Sequence, residues 1–281
     1  MTKKILMLLF AAVLALAAAG HAFAQGPSTD QEQGNYKNIL SAQVITTLAP
    51  QQCFSSGSGV TFLKICITNN GNISWFESPA GAVQLYSREG YAVCSLSNNL
   101  TVVHGFDANV AANGWGVSTV SQPNGVGTFP LIVTRQSLDG LIQLKQTFTR
   151  NAGERGIDVQ MDITNMSAYS SYLRVSRYFD ADLNGTTINP FWFSDDSVWG
   201  WGGLNQRGLM LTAAPSSSYI YYPWVSSYND WNPNGAGHQY ARGCSDGGWA
   251  VQGDNVGGMV TVLGGVNAGQ TKTVTLRYRR F

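Results

Sequence analysis

Ile157-Asp158-Val159-Gln160-Met161-Asp162-Ile163-Thr164 alternates apolar and polar residues without a break. A period of two places Ile157, Val159, Met161 and Ile163 on one face of an extended chain and the polar residues on the other. Upstream, Ile142, Leu144 and Phe148 alternate with polar residues, and Asn151-Ala152-Gly153-Glu154-Arg155 reads as the turn between the two runs. One dry face and one wet face define an antiparallel hairpin packed on one side.

The same period extends outward. Leu173, Val175 and Phe179 continue it, and residues 259–263 and 271–278 flank the turn Gly264-Gly265-Val266-Asn267-Ala268-Gly269. Earlier, residues 60–68 read as a strand closed by Asn69-Asn70-Gly71-Asn72, with residues 73–77 as its partner. Asn-Gly suits the positive φ of a tight turn. Residues 91–94, 100–103 and 131–135 are further short strands. No amphipathic helical period follows residue 24. The expected fold is all-β, an antiparallel β-sandwich with a single domain over residues 46–281 and little helix. Residues 38–48 fit a short helix or a first strand, and both stay open.

A transmembrane barrel is the topological rival. Counting back from Phe281, the face that would meet lipid holds Arg279, Arg277, Thr275 and Thr273, while Tyr278, Leu276 and Val274 form the apolar face. Two arginines toward lipid speak against a barrel.

Residues 1–24 carry Lys3 and Lys4, an apolar run from Ile5 to Ala19, and Ala22-Phe23-Ala24. This is the three-part pattern of a cleaved signal peptide. The expectation is an exported chain, periplasmic or extracellular, with a polar N-terminal tail over residues 25–45 and no membrane insertion after processing. Lys3 and Lys4 would leave with the signal, so 17 basic side chains become 15 against 16 acidic ones. Only 12% of residues are charged, about half the average for soluble domains. A nucleic-acid partner would call for clustered Lys and Arg. The only basic cluster, Arg277, Arg279 and Arg280, reads as the solvated face and end of a strand.

Cys53, Cys66, Cys94 and Cys244 form an even set, which in an exported chain predicts two disulfides with three available pairings. In one of them Cys53–Cys66 staples the first strand to its preceding loop, and Cys94–Cys244 ties an early strand to a late loop. His104 and His238 are the only histidines beyond the signal, too few for most histidine metal sites.

Asp180-Ala181-Asp182-Leu183-Asn184-Gly185-Thr186 matches the first half of a calcium-binding loop. Position twelve is Phe191 instead of a bidentate glutamate. Calcium would therefore need Asp195 or Asp196 as the missing carboxylate. The competing reading is a turn that caps itself through its Asp and Asn side chains.

Six of the eight tryptophans fall between residues 192 and 249. Indole faces stack on the C–H faces of sugars, so Trp192, Trp199, Trp201, Trp224 and Trp231 are candidate ligand-binding residues on long loops. The alternative is that these aromatics fill the core. For catalysis, Glu77 and Glu89 are the candidate acids, pairing with Asp180 or Asp230. His104 with Asp107 is a weaker base-and-orienter pair. No nucleophile elbow, HExxH or Walker loop occurs.

Arg177-Tyr178-Phe179-Asp180-Ala181-Asp182, followed by Asp196-Ser197-Val198-Trp199-Gly200, resembles a segment of uncharacterised exported bacterial β-sandwich proteins. The ending Asn267-Ala268-Gly269-Gln270-Thr271 and Val274-Thr275-Leu276-Arg277-Tyr278-Arg279 resembles their final strands. Such proteins are weakly similar to the galactose-mutarotase-like supersandwich, and the resemblance implies a protein that binds or acts on carbohydrate. The histidine pair and glutamate of mutarotases have no matched counterpart in this chain. Three functions follow as expectations: a non-catalytic, calcium-supported binder of a glycan or another cell-surface component; a carbohydrate-active enzyme; or a structural envelope or matrix protein.

Overall fold

Residues 36–37 and 51–281 are described by a computed structural model, apart from 87–88, 98–99, 109–110, 113, 152, 154, 182, 184–189, 203–206, 215–217 and 228–254. The described residues build three sheets. The largest has eight strands. Its order is β14 (Phe191–Ser194), β15 (Ser197–Gly202), β16 (Arg207–Ala213), β19 (Thr271–Arg280), β12 (Gly156–Asn165), β11 (Ile142–Asn151), β10 (Leu131–Gln136) and β9 (Thr119–Ser121). The second runs β1 (Tyr36–Lys37), β7 (Leu100–Ala108), β6 (Glu89–Ser97), β13 (Ser171–Asp180), β18 (Asn255–Val266) and β17 (Ile220–Ser227), with β8 (Ala111–Ala112) against β7. The third holds β2 (Gln51–Ser56), β3 (Leu63–Thr68), β4 (Ile73–Glu77) and β5 (Val83–Tyr86). Among the described residues every pairing is antiparallel except the short β1–β7 pair.

The alternating run over residues 157–164 lies in β12, and Ile157, Val159, Met161 and Ile163 are all fully buried. Val274, Leu276 and Tyr278 of β19 join the same face. On the far face Arg277 grips Asp158 with both a 2.6 Å and a 3.0 Å bond. Leu173, Val175 and Phe179 close the core from the second sheet. The fold is thus the expected all-β sandwich, with a third small sheet added to its two large ones.

Two local expectations change. Residues 59–61 form a 3-10 turn, so β3 begins at Leu63 and not at Val60. Gly57 and Gly59 both sit at positive φ there, which breaks an extended run. The segment before Cys66 that carries Cys53 is strand β2, not a loop. Cys53 and Cys66 are direct cross-strand partners joined by a disulfide. Cys94 is also disulfide-bonded, while Cys244 lies outside the described residues.

Inside the core sits an ion pair. Glu89 of β6 and Arg177 of β13 both have side chains without solvent exposure. Arg177 Nε donates to Glu89 Oε1 at 2.7 Å, Nη1 to Gln146 Oε1 at 2.6 Å and Nη2 to the Gly71 carbonyl at 3.1 Å. The Tyr278 hydroxyl donates to Glu89 Oε1 at 2.7 Å, and the Ile73 N–H to Oε2 at 2.9 Å. Rings of Tyr91, Phe148 and Tyr278 surround the guanidinium at 5.6–5.8 Å. Burial pushes the Glu89 carboxyl up from its ordinary value, opposed by Arg177 and the two donors. Burial also acts to lower Arg177, but the neighbouring carboxylate outweighs it and holds the guanidinium protonated.

This network seats the β3–β4 turn. Tyr91 Oη donates to the Asn70 carbonyl at 2.7 Å, and Asn72 Nδ2 to the Glu89 carbonyl at 2.8 Å. Gly71 has φ +86°, and a Cβ there would collide with Gln146. Both the dihedral and the space require glycine. We predict that Gly71→Ala destabilises the fold by more than about 1 kcal/mol in denaturant titration, and a neutral result would refute this seating. Arg177→Ala and Glu89→Gln should each cost about 3–5 kcal/mol, because each strands a buried charge or its donors. Losses under about 1 kcal/mol would show that the pair does not secure the core.

Candidate functional site

The edge hairpin β14–β15 carries tryptophans on its outward face. Trp192 stands opposite Trp199, which stands opposite Met210 and then Arg279 across successive strands. One row further, Trp201 stands opposite Gly208. Gly208 and Phe281 exchange backbone hydrogen bonds, and a Cβ on Gly208 would meet the Phe281 ring. That ring therefore lies over the glycine, beside Trp201. Trp192 is 43% exposed, Trp201 37% and Phe281 49%, and the two indoles are 5.9 Å apart. The result is an open aromatic face presented by hydrogen-bonded strands, where the sequence suggested long loops.

Strand parity explains this grouping. Trp199 and Trp201 are two residues apart and share a side. Val198 faces the core, and Phe191 packs on Phe179 at 5.5 Å. Gly200 and Gly257 lack the side chains that would block Phe191. Phe281 and Met210 complete the face and were missed in the sequence reading. Residue 281 shares its side with 279 and 277, a parity visible in the chain. Its neighbour across the sheet is not.

The outward face of the second sheet differs. Tyr178 and Trp224 lie flat over Gly90 and Gly258, whose Cβ atoms would strike the rings. The ring centroids are 6.5 Å apart. Both side chains are buried, and with Ala92, Cys94, Val256 and Val260 they form a second apolar cluster. Trp224 is thus separated from Trp192, Trp199 and Trp201 on a different sheet. Tyr219 and Tyr221 pack against the main core. Burial, Tyr219 and Asp196 together push the Tyr221 phenol up to about 12. Trp231 lies outside the described residues.

The candidate acids occupy separate settings. Glu89 belongs to the sealed ion pair. Glu77 accepts from Trp75 Nε1 at 3.1 Å and from the Gly81 N–H at 2.7 Å, which ties down the β4–β5 turn. Asp180 ends β13, buried on the outward side of the second sheet. Asp195 and Asp196 form the exposed β14–β15 turn, where Asp196 Oδ1 accepts from Ser194 and Ser197. Asp182, Asn184, Thr186 and Asp230 lie outside the described residues, as do the side chains of His104 and Asp107. Among the described residues, no three His, Cys, Asp or Glu side chains gather as a metal site. No described helix is long and apolar enough to cross a membrane.

No protein-family model matches the chain, and no curated protein matches it. Solved structures do. A bacterial glucoamylase complexed with acarbose superposes with a TM-score of 0.54 at 8% identity, over 88% of this chain and 35% of the glucoamylase. The chain thus spans about a third of that enzyme's length. A candidate aldose 1-epimerase from Escherichia coli K12 superposes with a TM-score of 0.50 at 10% identity, over 83% of this chain and 99% of that protein. A galactose mutarotase-like protein from Lactobacillus casei ATCC 334 aligns at 8% identity with a TM-score of 0.47, over 83% of this chain and all of its own. At such identities the likeness is one of fold. The weak similarity to galactose-mutarotase-like proteins, read from the segments around Arg177 and Arg277, holds at that level.

Proposed function

We propose that this protein is exported and binds a glycan through the aromatic face of Trp192, Trp199, Trp201 and Phe281. The observation that carries this reading is the pair of exposed indoles on paired strands. Indoles exposed to water are costly to leave bare, and they offer flat apolar area with little entropy to lose on binding. Strands hold the rings more firmly than loops would. Exposed rings spaced along paired strands suit an extended chain of sugars. Support for binding over catalysis comes from the two candidate glutamates. Glu89 is sealed within the core, and both oxygens of Glu77 are engaged by N–H donors. The disulfide and the signal pattern of residues 1–24 support export.

Calcium enters as a separate element of the proposal, resting on the Asp180–Thr186 sequence pattern, with Asp195 or Asp196 as the added carboxylate. If the loop holds calcium, millimolar calcium raises the melting temperature and Asp182→Ala abolishes that rise. An unchanged rise in the variant would retire the loop as a metal site.

The glycan reading predicts that Trp192→Ala and Trp201→Ala each weaken binding at least about tenfold on a glycan array followed by calorimetry, since each removes an aromatic anchor. Trp224→Ala should lower stability and leave affinity per folded molecule unchanged. Wild-type affinity in both surface variants would overturn the assignment of this face.

A further inference from the structure

The outward side of the eight-stranded sheet continues past the tryptophans. Across the strands from Trp199, Met210 is followed by Arg279 of β19. Two residues along β19, on the same side, is Arg277, opposite Asp158 of β12. At about 4.8 Å per strand and about 3.4 Å per residue, the Arg277 backbone lies about 12 Å from that of Trp199. The next outward row holds Thr275, Gln160 and Thr147, and the one after it Thr273, Asp162 and Lys145. One alternation therefore puts the indoles and a polar lane on a single surface.

The side chains of this lane hold one another in place. Arg277 donates to both oxygens of Asp158, at 2.6 and 3.0 Å. Asp162 accepts from Lys145 Nζ at 3.2 Å, from Gln160 Nε2 at 3.0 Å and from Thr273 Oγ1 at 2.8 Å. Gln160 thus has its amide nitrogen fixed on Asp162 and keeps its amide oxygen as an acceptor. A carboxylate has about four lone-pair directions, so Asp158 can accept beyond its two bonds to Arg277. Its side chain is 26% exposed and that of Asp162 15%, which leaves both within reach of a ligand. An exposed ion pair adds only about 0–1 kcal/mol to folding. Its larger effect here is to fix where acceptors stand, so that little entropy is left to lose when a ligand hydroxyl arrives. Within the lane Arg277 is matched by Asp158 and Lys145 by Asp162. The lane therefore offers hydrogen bonds, with each of these cations balanced by its own carboxylate.

We propose that this polar lane is the hydroxyl-reading half of the glycan site, so that the ligand is a neutral, hydroxyl-rich saccharide chain. It rests on the glycan-binding reading of the aromatic face and adds the class of glycan and the residues that select it. One end of the chain stacks on Trp192 and Trp201, and the following sugars cross β16 and β19 toward β12. Their hydroxyls donate to Asp158 and to the Gln160 amide oxygen, with Thr275 and Thr147 alongside as further hydroxyl partners. An acidic sugar in the same place would set its carboxylate or sulfate against Asp158 and Asp162. A neutral chain brings no charge to be screened, so its affinity is nearly flat with salt.

The test measures binding of the full chain to dextran, cellohexaose, galactan and oligogalacturonate by calorimetry at low and high salt. The same ligands are titrated against Asp158→Asn, Gln160→Ala and Trp201→Ala. All three changes lie on the outward side of the sheet, and melting curves confirm that the variants are folded. The expected result is binding of at least one neutral glycan, little changed by salt, and at least about tenfold weaker binding of oligogalacturonate. Asp158→Asn and Gln160→Ala should each weaken the neutral ligand at least about fivefold. Asp158→Asn should also narrow the gap to oligogalacturonate, which a mere loss of folding would not do. Neutral binding that falls in Trp201→Ala and stays at the wild-type level in both lane variants would overturn the lane and keep the glycan reading. Oligogalacturonate bound as tightly as any neutral ligand would overturn the neutral class and also keep that reading. Binding of none of the four would count against both.

Discussion

A guanidinium and a carboxylate sealed in an otherwise apolar core constrain everything around them. Neither Arg177 nor Glu89 can be left unpaired, because an isolated buried charge is far costlier than any contact it replaces. Arg177 therefore recruits Gln146 from the eight-stranded sheet and the Gly71 carbonyl from the small sheet. Glu89 recruits Tyr278 and the Ile73 N–H. One polar knot ties three sheets that apolar packing alone would leave free to slide. A fully satisfied network of this kind specifies one arrangement among many that bury similar area.

The network also separates the chain's two kinds of surface. Arg177, Glu89 and Tyr91 share the inward side of the second sheet, so Tyr178 is turned outward onto Gly90. In the eight-stranded sheet, Tyr278 points in to meet Glu89, which turns Arg277 and Arg279 out. Phe281, two residues beyond Arg279, follows to the outward side. The aromatic face is thus a consequence of strand parity anchored by Tyr278. Binding surface and core are set by the same alternation.

Much of the fold was legible in the chain. The β11–β12 hairpin and β19 announce themselves because each is dry on one side only, and that pattern is local. The turn at Asn69–Asn72 was likewise readable from its Asn-Gly pair. The site was less legible. Trp199 and Trp201 could be assigned a common side from their spacing, but their meeting with Trp192 depended on a hairpin through Asp195 and Asp196. Glu89 looked like a strand-end acid available for chemistry. Its partner lies 88 residues away, and nothing local marks it as a core residue. The third sheet was invisible for the same reason: strands reveal their period, not their neighbours.

Alternation, turn chemistry and the scarcity of charge determined by themselves that this chain would fold as antiparallel strands with buried apolar faces. These are short-range properties, fixed by the two-residue period and by which residues accept positive φ. Tertiary structure alone decided which strands adjoin, and hence that Arg177 meets Glu89 and that Trp192 meets Trp201. Pairings of that kind depend on long-range register, where residues far apart in sequence are brought together by burial of the whole core.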